Sequence, residues 1–216
     1  MKTAITFLLL TMQAWPQAAG NANSGYRTEE GRARVAQTLA ASDRDGRQKP
    51  KELIAAIDLK PASVVADLGT GVGYMLPYLS AAVGARGKVL AVDIFDDFLK
   101  QARQTAAKNS LTNVEFILGS DKDPGLPANA VDVVFTLDAY HHFDYPQGSL
   151  ASIAQSLRAG GRFIIVDFYK TGFRDPNHIR LDLKDVIKEV EANGFRFDKV
   201  SDHQEKVQYI AVFTKK

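Results

Sequence analysis

The sequence predicts an α/β protein: an open, mostly parallel sheet of seven strands, with helices on both faces and an antiparallel hairpin at the carboxyl end. Three observations carry this. Between residues 64 and 168, short and continuously apolar β-type runs alternate with helical periodicity, as strands covered on both faces require. The first of these runs leads straight into a glycine-rich turn, Gly69-Thr70-Gly71-Val72-Gly73. After the fifth run come one more helix and two strand-like runs joined by a short polar segment, which reads as a hairpin.

Taken in order, residues 1–22 read as a signal peptide. Lys2 precedes an apolar run from Ala4 to Trp15, and Ala18-Ala19 and Gly20-x-Ala22 offer cleavage points. That run is shorter than the roughly 20 residues a membrane-crossing helix needs, so no stable span is expected. The protein is expected to be exported, periplasmic or extracytoplasmic, if the leader is cleaved, and cytoplasmic otherwise. Residues 23–50 are polar and form an N-terminal helical cover, with a helix over Glu29 to Ala41 that spaces Val35 and Leu39 by four. Residues 51–216 form the main domain, starting with a short helix at Glu52 to Ile57 that stops before Pro61.

Strands are expected at Val64 to Asp67, Lys88 to Val92, Val114 to Ile117, Val131 to Leu137 and Arg162 to Phe168. One intervening helix carries Phe98, Leu99, Ala102 and Ala106 on its apolar face, and another Leu150, Ile153, Ala154 and Leu157. Arg158-Ala159-Gly160-Gly161 is expected to end the latter with a left-handed glycine cap. Asp182 is placed to cap a helix carrying Leu183, Val186, Ile187 and Val190, which Asn193-Gly194 stops. Phe195 to Val200 and Val207 to Phe213 then form the hairpin, linked by Ser201 to Lys206.

The composition narrows the function classes. At 216 residues, 45% hydrophobic and 24% charged, the chain has the make-up of one soluble globular domain. Lys and Arg number 27 against 25 Asp and Glu, a net +2 with the basic residues scattered, so nucleic acid is not an expected partner. The absence of cysteine excludes disulfides, thiolate zinc sites and cysteine nucleophiles.

The glycine turn lies where a buried strand meets the next helix, at the carboxyl edge of the sheet where open α/β folds bind ligands. Glycines at alternate positions let a ligand approach the main chain, and the following helix points its free N–H groups there. A dinucleotide fingerprint would place its third glycine at position 74, which is Tyr74. Asp67, two residues ahead of Gly69, would repel a pyrophosphate but accept a hydrogen bond from an ammonium group. A ligand with an amino-acid end fits, and S-adenosylmethionine has one joined to an adenosine. Asp93 closes the next strand at the distance suited to ribose hydroxyls.

DLGTGVG (Asp67 to Gly73), AVD (Ala91 to Asp93) and LRAGGRFIIVD (Leu157 to Asp167) together resemble the class I S-adenosylmethionine-dependent methyltransferases, over roughly residues 48 to 213. The chain is most similar to the methyltransferase-domain proteins of the ubiquinone-biosynthesis-like branch, some of which carry export signals. The resemblance implies a Rossmann-like fold, S-adenosylmethionine as cofactor and methyl transfer, and leaves the acceptor open. It implies cofactor contacts from Asp67, Gly69, Thr70, Gly71, Gly73, Asp93, Ile94 and Asp138, with ASDRDGRQKP (Ala41 to Pro50) as a cover. Where the family has Gly-Asp after the third strand, this chain has Gly119-Ser120-Asp121, so both Ser120 and Asp121 are candidates for the adenine contact.

Asp138-Ala139-Tyr140-His141-His142-Phe143 follows the fourth strand at the same edge. Asp138 is placed for the methionine end or the acceptor, and His141 or His142 for proton removal. Tyr140, Tyr169 and His178 are candidate substrate contacts. The histidines do not fall at recognised ligand spacing, so no metal is expected. The expected reaction is in-line methyl transfer to a small-molecule acceptor. Two alternatives stand beside it: a protein-carboxyl methyltransferase of the isoaspartate type, which Gly73 to Asp93 also resembles, and a non-catalytic S-adenosylmethionine-binding module.

Overall fold

The computed structural model describes residues 17–216. The leader assignment therefore falls mostly outside the described residues, and residues 17–22 are packed on the domain: Ala18 and Ala19 donate their amides to the backbone and side chain of Asp144. Among the described residues no helix is long and apolar enough to cross a membrane.

Seven strands form one sheet: β1 (Val64–Leu68), β2 (Lys88–Asp93), β3 (Val114–Leu118), β4 (Val131–Leu137), β5 (Leu157–Phe168), β6 (Phe195–Gln204) and β7 (Gln208–Lys215). Their order is β3-β2-β1-β4-β5-β7-β6. The first five are parallel, and β7 inserts antiparallel between β5 and β6. The chain runs outward from β1 to β3, then returns to β4 on the other side of β1. That reversal leaves a crevice beyond the carboxyl ends of β1 and β4, where doubly wound sheets take ligands.

Strict alternation along each buried strand supplies two cores. Ala66, Leu90, Val134, Phe163 and Ile165 face one side with Leu150, Ile153 and Val190; Val65, Val89, Phe135, Ile164 and Val166 face the other with Leu53, Leu76 and Leu79. The covering helices are α1 (Glu29–Leu39), α2 (Arg44–Gln48), α3 (Pro50–Ile57), α4 (Leu76–Val83), α5 (Asp96–Lys108), α6 (Pro146–Ser156) and α7 (Leu183–Ala192). Proline stands in the first turn of α3, α4 and α6, where its fixed φ suits a helix and its missing N–H costs nothing. Thr28 caps α1 by accepting from Gly31 N at 3.0 Å, with Glu29 and Glu30 at the positive end of the helix.

The predicted fold is the observed one, with local corrections. α6 ends at Ser156 rather than at the glycines, because Leu157, fully buried, already pairs with Val131. Arg158–Gly161 is an irregularity inside β5, with Gly160 at φ +73°, and Arg158 anchors it by donating to both carboxylate oxygens of Asp132. The hairpin is longer than expected, reaching Gln204 and resuming at Gln208, because Asp202 and Gln204 pair with Tyr209 and Gln208. α4 starts at Leu76, after a turn over residues 71–75. Asp182 occupies the N-cap position of α7 without a side-chain capping bond.

Phe163 is fully buried at the centre of one core, its ring against Tyr140, Phe195 and Phe213. Phe163→Ala is expected to lower stability by about 3–5 kcal/mol through lost transfer energy and the cavity left behind. Urea unfolding checks this; a loss below about 1 kcal/mol would mean that the aromatic cluster repacks around the gap.

Candidate active site

The cleft beyond β1 and β4 has a volume of about 360 Å³. Its floor is the turn after β1. Gly69 N and Thr70 N both donate to Val92 O at 2.9 Å, which ties the turn to the end of β2. Gly69, Gly71 and Gly73 have φ of +80°, +55° and +81°, a region that side chains rarely adopt. A Cβ on Gly69 would stand 2.6 Å from that of Ala139, and one on Gly71 3.0 Å from Leu39 in the cover. Gly73 is needed for packing, since its Cβ would stand 3.0 Å from the Ala102 main chain.

Three carboxylates surround this turn, those of Asp67 and Asp93 buried and that of Asp138 partly buried. Asp67 accepts from the Thr70 hydroxyl at 2.7 Å, and burial pushes its pKa up to about 6, against that hydrogen bond and the Arg44 charge. Asp93 accepts from Gly71 N at 2.9 Å and Phe95 N at 3.0 Å; burial raises it too to about 6, although these amides oppose the shift. Asp138 follows β4 in left-handed backbone, φ +53°, with its amide bonded to Val166 O. Its carboxylate accepts from Gln48 of α2 and, at 2.6 Å, from Gln208 of β7. Burial first, then the Asp167 charge, push Asp138 up to about 7, while Arg44, His141 and Gln48 pull the other way.

The cover closes over this floor. Arg44 lines the cleft, donates to Leu39 O at 2.9 Å and lies 4.0 Å over the Tyr74 ring. Asp45 accepts from both Tyr74 and Tyr78, and His203 bonds Gln48 O at 2.7 Å, so α2 is clamped from both sides. Tyr26 packs its ring against Phe95, Phe98 and His142. Asn23 donates to His142 O and to Asp144 Oδ2, both at 3.0 Å, which turns its carbonyl oxygen toward His142 Nδ1 at 2.8 Å.

β4 leads into the short 3-10 turn Tyr140–His142. His142 lines the cleft; burial, with His141 and His178 beside it, holds its pKa well below the usual histidine value, so it is neutral near pH 7. His141 lies behind it, with its Nδ1 2.7 Å from Asp167 Oδ1 and its amide donating to Asp167 Oδ2. Burial alone would lower the His141 pKa, but the Asp167 charge and hydrogen bond outweigh it and hold the group above its ordinary value.

Of the residues singled out in the sequence, Gly69, Thr70, Gly71, Asp93, Ile94, Ser120, Asp121, Asp138 and His142 line the cleft. Asp67 and Gly73 lie beneath the turn and shape it without forming the wall. The Ser120 hydroxyl closes its own turn with Lys122 and Asp123, whereas the Asp121 carboxylate accepts no hydrogen bond among the described residues. The structure moves Tyr140 out of the substrate role: it is 1% exposed in the core and donates to Glu189 at 2.7 Å. Tyr169 donates to Asp202 on β6, also away from the cleft. His178 touches the histidine pair rather than the cleft wall. Sequence reading missed Arg44, Gln48, Asn23, Tyr26 and Gln208 as individual residues, although the segment holding Arg44 and Gln48 was read as a cover.

Residues 66–165 match the family described as "Methyltransferase domain". The arsenite methyltransferase of Halobacterium salinarum is 29% identical over 167 residues, covering 77% of this chain and 41% of that protein. The ubiquinone/menaquinone biosynthesis C-methyltransferase of Ectopseudomonas mendocina is 28% identical over 115 residues, covering 53% of this chain and 45% of its own. The chain thus spans under half the length of these curated relatives. The crystal structure of a SAM-dependent methyltransferase from Aquifex aeolicus superposes with a TM-score of 0.80 at 25% identity, covering 85% of this chain and 98% of that one.

Because Asp138 ionises with more difficulty folded than unfolded, its contribution to stability is fully present below about pH 4 and is lost as pH rises through about 7. Asp138→Asn removes that dependence. In urea unfolding of the ligand-free protein, the stability difference should shift toward the Asn variant between pH 4.5 and 8, by at most about 1.4 kcal/mol per pH unit. A difference that stays flat across this range would mean that the carboxyl titrates like an exposed one.

Proposed function

Because this chain belongs to the class I S-adenosylmethionine-dependent methyltransferase family, we propose that its cleft binds S-adenosylmethionine and that the chain passes the methyl group to a small-molecule acceptor. The observation that carries this reading is the trio of carboxylates, Asp67 and Asp93 buried and Asp138 partly buried, around a bare glycine turn at the sheet's reversal point. Diphosphate would meet this floor with like charge, whereas a ligand carrying ammonium and sulfonium charges relieves it. Gln48 Oε1, buried beside Asp138 without a hydrogen-bond partner among the described residues, is a further open acceptor that suits an ammonium.

When bound, this cofactor supplies a methyl group on an already activated leaving group. The protein's own task is to bind, align and dry the reactants. Asp93 accepts ribose hydroxyls beside Gly71, and Asp121 is the free carboxylate for the adenine side. Arg44, the guanidinium of the cover, balances Asp67 and Asp138 and is suited to a carboxylate. Tyr26, Phe95 and Phe98 wall the cleft with rings that exclude water. His142 engages the nucleophilic atom of the acceptor: its Nδ1–H is held by Asn23, leaving the Nε2 lone pair for that atom's proton or charge. His141 positions His142, ring against ring at 4.1 Å.

Calorimetry with S-adenosylhomocysteine tests the cofactor half: Asp93→Ala and Gly71→Val should each abolish detectable binding, the latter through strained backbone and displacement of Leu39. Unchanged affinity in Gly71→Val would overturn the reading. For the acceptor half, His142→Ala should keep cofactor affinity within a few-fold and slow homocysteine-adenosine release in a coupled assay by about 10²–10⁴.

A further inference from the structure

We propose that His141, His142 and His178 form a binding site for a divalent cation of the zinc class at the acceptor end of the cleft, a reading that rests on the acceptor wall described above. One ring nitrogen from each histidine lies within 4.8 Å of the other two. Sequence spacing hid this, because His178 reaches the pair only through the loop after β5. That loop is folded by Phe173, whose ring stacks on His178 at 5.0 Å and packs edge-on against Phe168 at 4.7 Å. The fourth histidine of the chain, His203, is engaged separately by Gln48.

In two of the three imidazoles one ring nitrogen is held by an acceptor. Asp167 Oδ1 accepts the proton of His141 Nδ1 at 2.7 Å. The orientation of the Asn23 amide, fixed by its two donor contacts, makes its Oδ1 the acceptor for His142 Nδ1 at 2.8 Å. In the neutral form of each ring, which metal binding requires, the lone pair then sits on Nε2. A carboxylate or carbonyl holding the far nitrogen is the arrangement that fixes tautomer and ring plane in metal-bound histidines. At His142 the competing donor is the Tyr26 hydroxyl, at the 3.5 Å limit of a hydrogen bond.

The donor set chooses the ion. Three imidazoles without thiolate suit zinc, cobalt, nickel or copper rather than magnesium or calcium. Nitrogens bound to tetrahedral zinc stand about 3.3 Å apart. Closing the cluster thus needs shifts on the order of 1 Å, which the half-buried His178 on its surface loop can supply. Three protein ligands leave a fourth position; His142 is the ligand that borders the cleft, and with its Nε2 lone pair on the cation the acceptor's donor atom meets the metal in place of the ring nitrogen. An acceptor offering an oxygen or nitrogen donor atom is the substrate class this favours.

The test uses the full chain, stripped with a chelator and titrated with Zn²⁺ by calorimetry and with Co²⁺ by visible absorption. We expect one equivalent bound with tetrahedral cobalt bands, at least a tenfold loss in His142→Ala and in His178→Ala, and retention in His178→Cys, which restores a ligand. Absence of a one-equivalent titration, or an unchanged one in His178→Ala with the fold intact by circular dichroism, overturns the site. The cofactor reading fails separately. S-adenosylhomocysteine that does not bind the parent protein sinks that reading alone, whereas Gly71→Val should lose the nucleoside and keep the metal.

Discussion

The structure turns on the Asp138 carboxylate, partly buried at the edge of the sheet. A carboxylate taken out of water is costly unless its oxygens are met by donors. Here the donors come from two places far apart in the chain, Gln48 at the end of the cover and Gln208 at the start of β7. Meeting them requires Asp138 to adopt a left-handed backbone immediately after β4, a conformation that costs about 1 kcal/mol or more for a residue with a side chain. Cover, central strand and terminal hairpin are therefore joined at one acid, on the edge where the cleft opens.

That junction explains why the sheet ends as it does. An antiparallel β7 beside β5 runs from the carboxyl edge of the parallel strands toward the amino edge, so its first residue, Gln208, stands at the cleft end. Another parallel strand would have begun at the opposite edge and presented no such side chain. Tyr209 and Phe213 then continue into the core on the side that holds Phe163 and Phe195. The fold thus supplies both the apolar mass that anchors β7 and the polar contact at its tip.

Much of this was legible in the sequence, for physical reasons. Continuous apolar runs mark strands covered on both faces, and all seven strands were placed to within a few residues except where the chain leaves the regular pattern. Arg158–Gly161 was misread because glycines after an amphipathic stretch suggest a helix cap, while only tertiary pairing of Leu157 with Val131 makes the segment a strand irregularity. The glycine turn, Asp67 and Asp93 were legible because strand, turn and helix fix their spacing locally. Gln208, Asn23 and Arg44 were not: Gln208 and Asn23 act through partners 70 and 119 residues away, and Arg44 through the Tyr74 ring on another element, none of which leaves a periodic trace. Tyr140 was misassigned for a related reason. Its neighbours face the cleft, but a 3-10 turn points successive side chains in different directions, and Tyr140 takes the inward one.

The same arithmetic of burial bears on how the ligand-free and bound states differ. Three carboxylates with raised pKa, one strained aspartate and three glycines in left-handed backbone all concentrate destabilising features at one edge. The two apolar cores of the sheet and the clamps on α2 offset them. A cationic ligand that relieves the buried charge stabilises only the folded form, by about 2.7 kcal/mol at a concentration one hundred times its Kd. The charge suited to such a ligand is the charge that already holds Gln48 and Arg44 at the cleft.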